Sequence, residues 1–255
     1  MQSIIDGINQ WMPGITDSDL LAFLKLRFAN TIESPPDPRD HSHQDNESPP
    51  DTIDWNRWVG PIENQTNKPR CVCQSIEVAA RVQTNQQRNT DCYSPTSGQT
   101  MVDYDAQELY YLCKRHDGIP DVPGTHMRVG LKMYRKHGLT EIRPQANQRH
   151  HCRRYWRCRT HQEALNDLLS IGPVLITVRW FMSFSASKTG VLVPKAKDSY
   201  VGLHALTLTK RDAQDNRDDV TRGINSFGTA WGHNGHFVLP DNQWDTLVRE
   251  CWCTR

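Results

Sequence analysis

Four residues far apart in the chain carry the groups needed to attack an acyl carbon: Cys71, six residues after Gln65, followed far downstream by His204 and Asn225. A free thiol with an ordinary pKa of ~8.5 is mostly protonated at neutral pH, so it needs a neighbour that stabilises the thiolate. The imidazole of His204 does this as imidazolium and then returns the proton to the leaving group. An Asn225 side-chain oxygen on the other ring nitrogen fixes the tautomer and aims the ring. The tetrahedral intermediate carries an oxyanion, which calls for donors held ready; the Gln65 carboxamide and the backbone N–H of the nucleophile fit that role. A Cys followed by His and Asn some ~130–150 residues later is one of the recurring triad arrangements.

Local elements must hold these groups in place. Residues 72–83 contain no Gly or Pro, and Ile76, Ala79, Ala80 and Gln83 fall at three-and-four spacing, which predicts a helix opening at Cys71. Its N-terminus favours a thiolate. Cys73 is the rival nucleophile, yet two helical steps rotate it by roughly 200°, so both thiols cannot face one cleft. It is assigned a buried packing role. Beyond residue 170 the pattern becomes β-rich, at 174–178, 204–209 and 235–239, with Gly, Pro and Asp/Asn clusters between the runs. Cys71 therefore heads a helix in one lobe, His204 and Asn225 come from strands or strand ends of another, and the reactive pair falls in the crevice between them.

With these residues in order, the chain resembles the papain-like cysteine peptidase family. Pro-Asp-Thr-Ile-Asp-Trp at 50–55 looks like the start of the mature family domain. Asp-Ala-Gln-Glu-Leu at 105–109, with Cys113 after it, is similar to the family's Ser-Glu-Gln-Glu-Leu and following Cys. Gly172-Pro173-Val174 resembles the strand start before the histidine region, and Asn-Ser-Phe-Gly-Thr-Ala-Trp-Gly at 225–232 is close to the family's Asn-Ser-Trp-Gly-x-x-Trp-Gly. The likeness covers roughly residues 50 to 240. It implies an α+β, two-lobed fold, a helical lobe plus a β-barrel-like lobe, with the active site in the interlobe cleft. It also implies hydrolysis of peptide or amide bonds through a Cys71 acyl-thioester, with no cofactor or metal. Leu203, Phe227, Trp231, Gly118 and Ile119 are read as lining the substrate cleft.

The departures suggest two alternatives. Lys-Pro-Arg-Cys-Val at 68–72 stands where the family has Cys-Gly-Ser-Cys-Trp, so Lys68 cannot form the family disulfide, and Pro69 and Arg70 either narrow the cleft or set a cation beside the substrate. Phe227 replaces a Trp that covers the His–Asn contact, keeping an apolar lid of different size. The altered surroundings of Cys71 motivate an acyltransferase or amide ligase that uses an amine acceptor; the lost aromatics motivate a catalytically silent binding protein.

Composition sets the outer bounds. A chain of 255 residues with net charge +1 suits one large two-lobed domain. No apolar run approaches the ~20 residues needed to span a bilayer, and the first residues lack the pattern of a secretory signal. The expectation is an intracellular protein with no membrane partner, its eight Cys mostly reduced, and two Asn-x-Ser/Thr triplets, at Asn46 and Asn64, unmodified. Residues 149–161 hold five Arg with two aromatics interleaved. An RNA-binding patch or a zinc site on Cys152, Cys158 and nearby His are the alternatives there, but the near-zero net charge argues against nucleic acid, the spacing matches no standard zinc pattern, and a solvated loop is preferred. The sequence leaves oligomeric state open.

Along the chain, residues 1–33 are expected to form a helical extension, with an amphipathic helix at 15–31 docked on the domain surface. Residues 34–51, Pro-rich and polar, read as a mobile linker. In secreted members of the family such a leader blocks the cleft, but the extension here lacks a matching long helical pattern, so surface docking is preferred. The papain-like domain is placed at 52–255, with the helical lobe at about 65–145 and the β-rich lobe at about 52–64 and 160–250. Residues 85–100 read as a surface loop, 105–116 and 125–137 as helices, the second ended by Gly138. Cys251-Trp252-Cys253 reads as a tail that packs Trp252. His116, His126 and His137 read as surface residues.

Overall fold

The computed structural model describes residues 18, 30–38, 40, 51–92, 101–142, 149–212 and 219–255. In chain order the elements are β1 (Thr31–Ile32), β2 (Ile53–Asp54), α1 (Cys71–Gln87), α2 (Ala106–Lys114), β3 (Thr125–His126), α3 (Met127–His137), β4 (Leu139–Thr140), β5 (Arg149–His150), β6 (Tyr155–Arg157), α4 (His161–Ser170), β7 (Val174–Phe181), α5 (Met182–Ser185), β8 (Tyr200–Asp212), β9 (Val220–Ile224), β10 (His236–Pro240), α6 (Trp244–Leu247) and β11 (Val248–Thr254). The main sheet runs β10-β9-β8-β7-β11-β6, with β1, β2 and β3 attached at its side.

Two apolar cores correspond to the two lobes. One gathers Val174, Ile176, Val178 and Trp180 of β7, Leu206 and Leu208 of β8, and Phe237 and Leu239 of β10. The other gathers Val72, Ile76 and Ala79 of α1, Leu109 and Cys113 of α2, and Met127, Leu131 and Tyr134 of α3, but it also takes in Leu175, Ala205 and Trp252 from the sheet. The helical lobe is thus packed directly onto the sheet, with α1 as the shared element. That explains why α1 is buried nearly all round rather than along one stripe. Its polar side chains face partners: Ser75 Oγ donates to Leu206 O (2.8 Å) while Thr207 Oγ1 donates to Ser75 O (3.0 Å), locking α1 to β8 just beyond His204. Gly130 of α3 lets the two helices cross closely, because a Cβ there would lie 2.6 Å from Ile76 Cδ1 and 2.9 Å from Val72 Cγ1.

Helix ends follow local chemistry. Asp105 caps α2 by accepting from the N–H groups of Gln107 and Glu108, and α3 stops where Gly138 takes φ 75°. Three expectations are corrected. The nucleophile helix continues to Gln87, into the stretch read as loop, because Asn85 is buried and accepts from Val102 N (2.9 Å) while donating to Trp58 O (3.1 Å). Residues 248–254 are not a packing tail but an interior strand between β7 and β6. The described part of 34–51 is not a free linker: Ser34 is buried and donates its N–H to the buried Glu250 carboxylate (2.7 Å). The predicted helix at 15–31 lies almost wholly outside the described residues, and its last residue, Thr31, is strand.

Candidate active site

Arg70 precedes α1 without a side-chain cap, so the first-turn N–H groups of the helix stand open around Cys71. Cys71 is fully buried; its Sγ lies 3.2 Å from Thr31 Oγ1. Burial pushes the thiol above its ordinary pKa, outweighing the Thr31 hydroxyl and the backbone hydrogen bonds of Ala205, Asn30 and Val72, all of which favour the thiolate. The expected thiolate is therefore not the resting form. The helix terminus is in place, but the thiol is dry.

His204 belongs to β8, and Ala205, the next residue, bears on the thiol through its backbone. Asn225, at the end of β9, accepts from His204 Nε2 (2.8 Å) and from Ser226 N (2.7 Å) through the same Oδ1. Because that oxygen can only accept, Nε2 carries the proton, and Nδ1 is the ring nitrogen with a lone pair. Aromatic rings enclose the pair: Trp180 lies 4.7 Å and Phe227 4.8 Å from the imidazole centroid, and Trp231 packs edge-on against Phe227 at 5.8 Å. Such a dry enclosure strengthens the His–Asn bond. Gln65 is buried on the Asn225 side: its N–H donates to Ser226 O (2.8 Å), and Ser226 Oγ donates to its Oε1 (2.5 Å). That bond commits Oε1 to Ser226 and turns the carboxamide N–H donors to the other side. Arg70 does not extend along the cleft; its guanidinium donates to Gln107 Oε1 of α2 (2.9 Å).

The crevice is occupied by the chain itself. Thr31 pairs with Leu203 of β8 on one side and, in parallel register, with Thr125 of β3 on the other, as Ile32 does with His126. Residues 30–32 therefore run between the lobes, while the surface docking expected of the helix at 15–31 falls almost wholly on residues outside the described ones. The wall on the helical side is Gly124, whose φ of 88° and missing Cβ are both required: a Cβ would sit 1.6 Å from Asn30 O. Gly118, expected to line the cleft, has open space where its side chain would be, and Ile119 donates its N–H to Asp117 in the same exposed turn. Downstream the segment is clasped. Glu33 O meets His126 Nδ1 (3.0 Å), Arg128 holds the Asp40 carboxylate through Nε (3.0 Å) and Nη2, and Arg159 donates to Asp40 O (3.2 Å).

Thr31, Gly124, Trp180 and Ser226 are the participants that sequence reasoning missed. Of these only Ser226 carried a signal, by lying next to Asn225. In the basic stretch Cys152, Trp156 and Cys158 are buried, with the Trp156 indole donating to Asp167 Oδ2 (2.6 Å), so it is partly core rather than a solvated loop. Among the described residues no three His, Cys, Asp or Glu converge to hold a metal ion, and no helix is long and apolar enough to cross a membrane.

No family profile matches the sequence, and neither does any curated protein sequence. Solved structures do match in shape. Xylellain, a cysteine protease from Xylella fastidiosa, superposes with a TM-score of 0.74 at 17% identity over 90% of this chain and 96% of its own. Procathepsin B S9 from Trypanosoma congolense gives 0.72 at 14% identity over 100% and 97%. The Carica candamarcensis cysteine protease CMS1MS2, in complex with E-64, gives 0.60 at 18% identity over 80% and 98%. The chain has the papain-like α+β fold, the fold of these cysteine proteases.

Proposed function

We propose that the chain is a papain-like thiol peptidase in which Cys71 attacks a peptide or amide carbonyl. The observation that carries this reading is the 2.8 Å His204 Nε2–Asn225 Oδ1 bond on the strand whose next residue bears on the Cys71 thiol. His204 Nδ1 accepts the thiol proton; the thiolate adds to the carbonyl, and the oxyanion is met by the Gln65 carboxamide and the Cys71 N–H. The imidazolium protonates the departing amine, leaving a thioester that water hydrolyses with His204 now acting as base. Residues 30–32 occupy the path an extended substrate needs, so turnover requires their displacement.

Mass-spectrometric mapping after treatment with a thiol-directed peptide epoxide tests this in the full chain and in a form lacking residues 1–40. The expected adduct is on Cys71, strong in the shortened form and lost in His204→Ala. A shortened form that is folded yet unlabelled at Cys71 would sink the reading. In turnover assays Cys71→Ala and His204→Ala each abolish activity, Cys73→Ala retains most of it, and Asn225→Ala costs less than either.

A further inference from the structure

Eight thiols are present and all are free, yet two of them meet in the core of the helical lobe. Cys73 lies in the first turn of α1 and Cys113 near the end of α2; both are fully buried, and their Sγ atoms are 4.0 Å apart. The pair spans 40 residues of chain. Around it are apolar side chains of α1, α2 and α3. A thiol placed there only for packing needs no second thiol in contact with it, since an Ala or Val fills such space equally well.

We propose that Cys73 and Cys113 form a covalent modification site, a dithiol that closes to a disulfide when the protein meets a low-molecular-weight disulfide of the glutathione type. Bonding requires the sulfurs to close from contact to about 2.05 Å, a movement within reach of side-chain rotation when the two helices already touch. The reaction balances in two exchanges. One thiolate attacks the small disulfide, forming a mixed disulfide and expelling one small thiolate. The second protein thiolate then attacks the protein sulfur of that mixed bond and expels the other. Two electrons pass from the protein to the small disulfide, and the two protons released on ionisation of the protein thiols end on the two small thiols. The product staples the first turn of α1, which carries Cys71, to α2, while Cys71 itself points to the crevice and stays outside the bond. Because both sulfurs are buried, exchange proceeds through opening of the helical lobe and is slow in the folded protein.

The test is refolding and long incubation of the full chain in mixtures of reduced and oxidised glutathione, followed by alkylation of remaining thiols and non-reducing peptide mapping. The expected result is a linked peptide pair containing Cys73 and Cys113, lighter by two hydrogens, with Cys71 still carrying the alkylating label. Closing a loop of this length is expected to raise the Tm of the oxidised over the reduced protein by roughly 5–10 °C, a gain lost from that difference in Cys73→Ala and in Cys113→Ala, whereas any contribution of the touching Cys158 and Cys251 thiols stays in all three. The comparison is made within each variant, so an overall stability loss from the substitution does not affect it. Both cysteines alkylated at every ratio, or a Cys71–Cys73 bond in place of the Cys73–Cys113 bond, would overturn the proposal.

Discussion

At the residue scale, chemistry was legible wherever a side chain's type is rarely needed for packing. Cys71, His204, Asn225 and Gln65 could be picked out because a thiol, an imidazole and two carboxamides in that order share few purposes. Trp180 and Thr31 could not, since an aromatic in a strand or a Thr ahead of a Pro-rich stretch has many ordinary fates, and only the folded chain sets a ring 4.7 Å from His204 or a hydroxyl 3.2 Å from the thiol. Ser226 shows how indirect support works, because its hydroxyl fixes which end of the Gln65 carboxamide is turned away. Under the proposed mechanism, Gln65→Ala is expected to lower kcat by about 10²-fold or more with little change in KM, the effect of removing one oxyanion donor. Ser226→Ala, measured in the same assay, lowers kcat less, because the donor remains but is less well aimed.

At the element scale, α1 shows what periodicity reads and what it misses. Its start at Cys71 follows from local pattern, whereas its extension to Gln87 depends on Asn85 finding backbone partners from distant segments. The same helix buries Glu77, 3.2 Å from Arg81, with Arg81 shared by Asp103. Desolvation outweighs the attraction of Arg81, which Glu77 shares with Asp103, and pushes Glu77 up to about 8. Folded protein then binds more protons than unfolded protein between about pH 4.5 and 8. Stability from this group is fully present below that window and falls as pH rises through it, by an amount on the order of a few kcal/mol. Denaturant unfolding across pH 5–8 should show that slope in the parent and its flattening in Glu77→Gln. Strand β1 makes a second case. Gly124→Ala puts a Cβ against Asn30 O, so the substitution should expel residues 30–32 and raise the alkylation rate of Cys71 at least several-fold. Unchanged alkylation in a folded variant would mean that β1 is not the barrier.

At the scale of the whole molecule, the described residues of the leading segment bridge both lobes, Thr31 by strand pairing, Ser34 by its bond to Glu250 and Asp40 by its bond to Arg128. The two-lobed outline was readable from the change of period near residue 170, because helical and β patterns differ over long windows. The path of residues 30–38 was not, since Pro and polar residues look alike whether free or clasped. Arg128→Ala, which removes the Asp40 contact, should speed epoxide labelling of Cys71 while leaving the Tm within a few degrees, if the clasp restrains the segment rather than the lobes. A different consequence follows from β11, which lies between β7 and β6. During translation, every partial chain that stops short of residue 248 leaves β7 as an open sheet edge and β6 without the strand it pairs with. The β7–β11–β6 side of the β-rich lobe therefore forms only once β11 has been made, after the β10-β9-β8-β7 part is already available to pair. Nascent chains should depend on chaperones until that last strand is threaded home, and trimming even a few residues from it should lower the yield of native protein far more than trimming a surface loop.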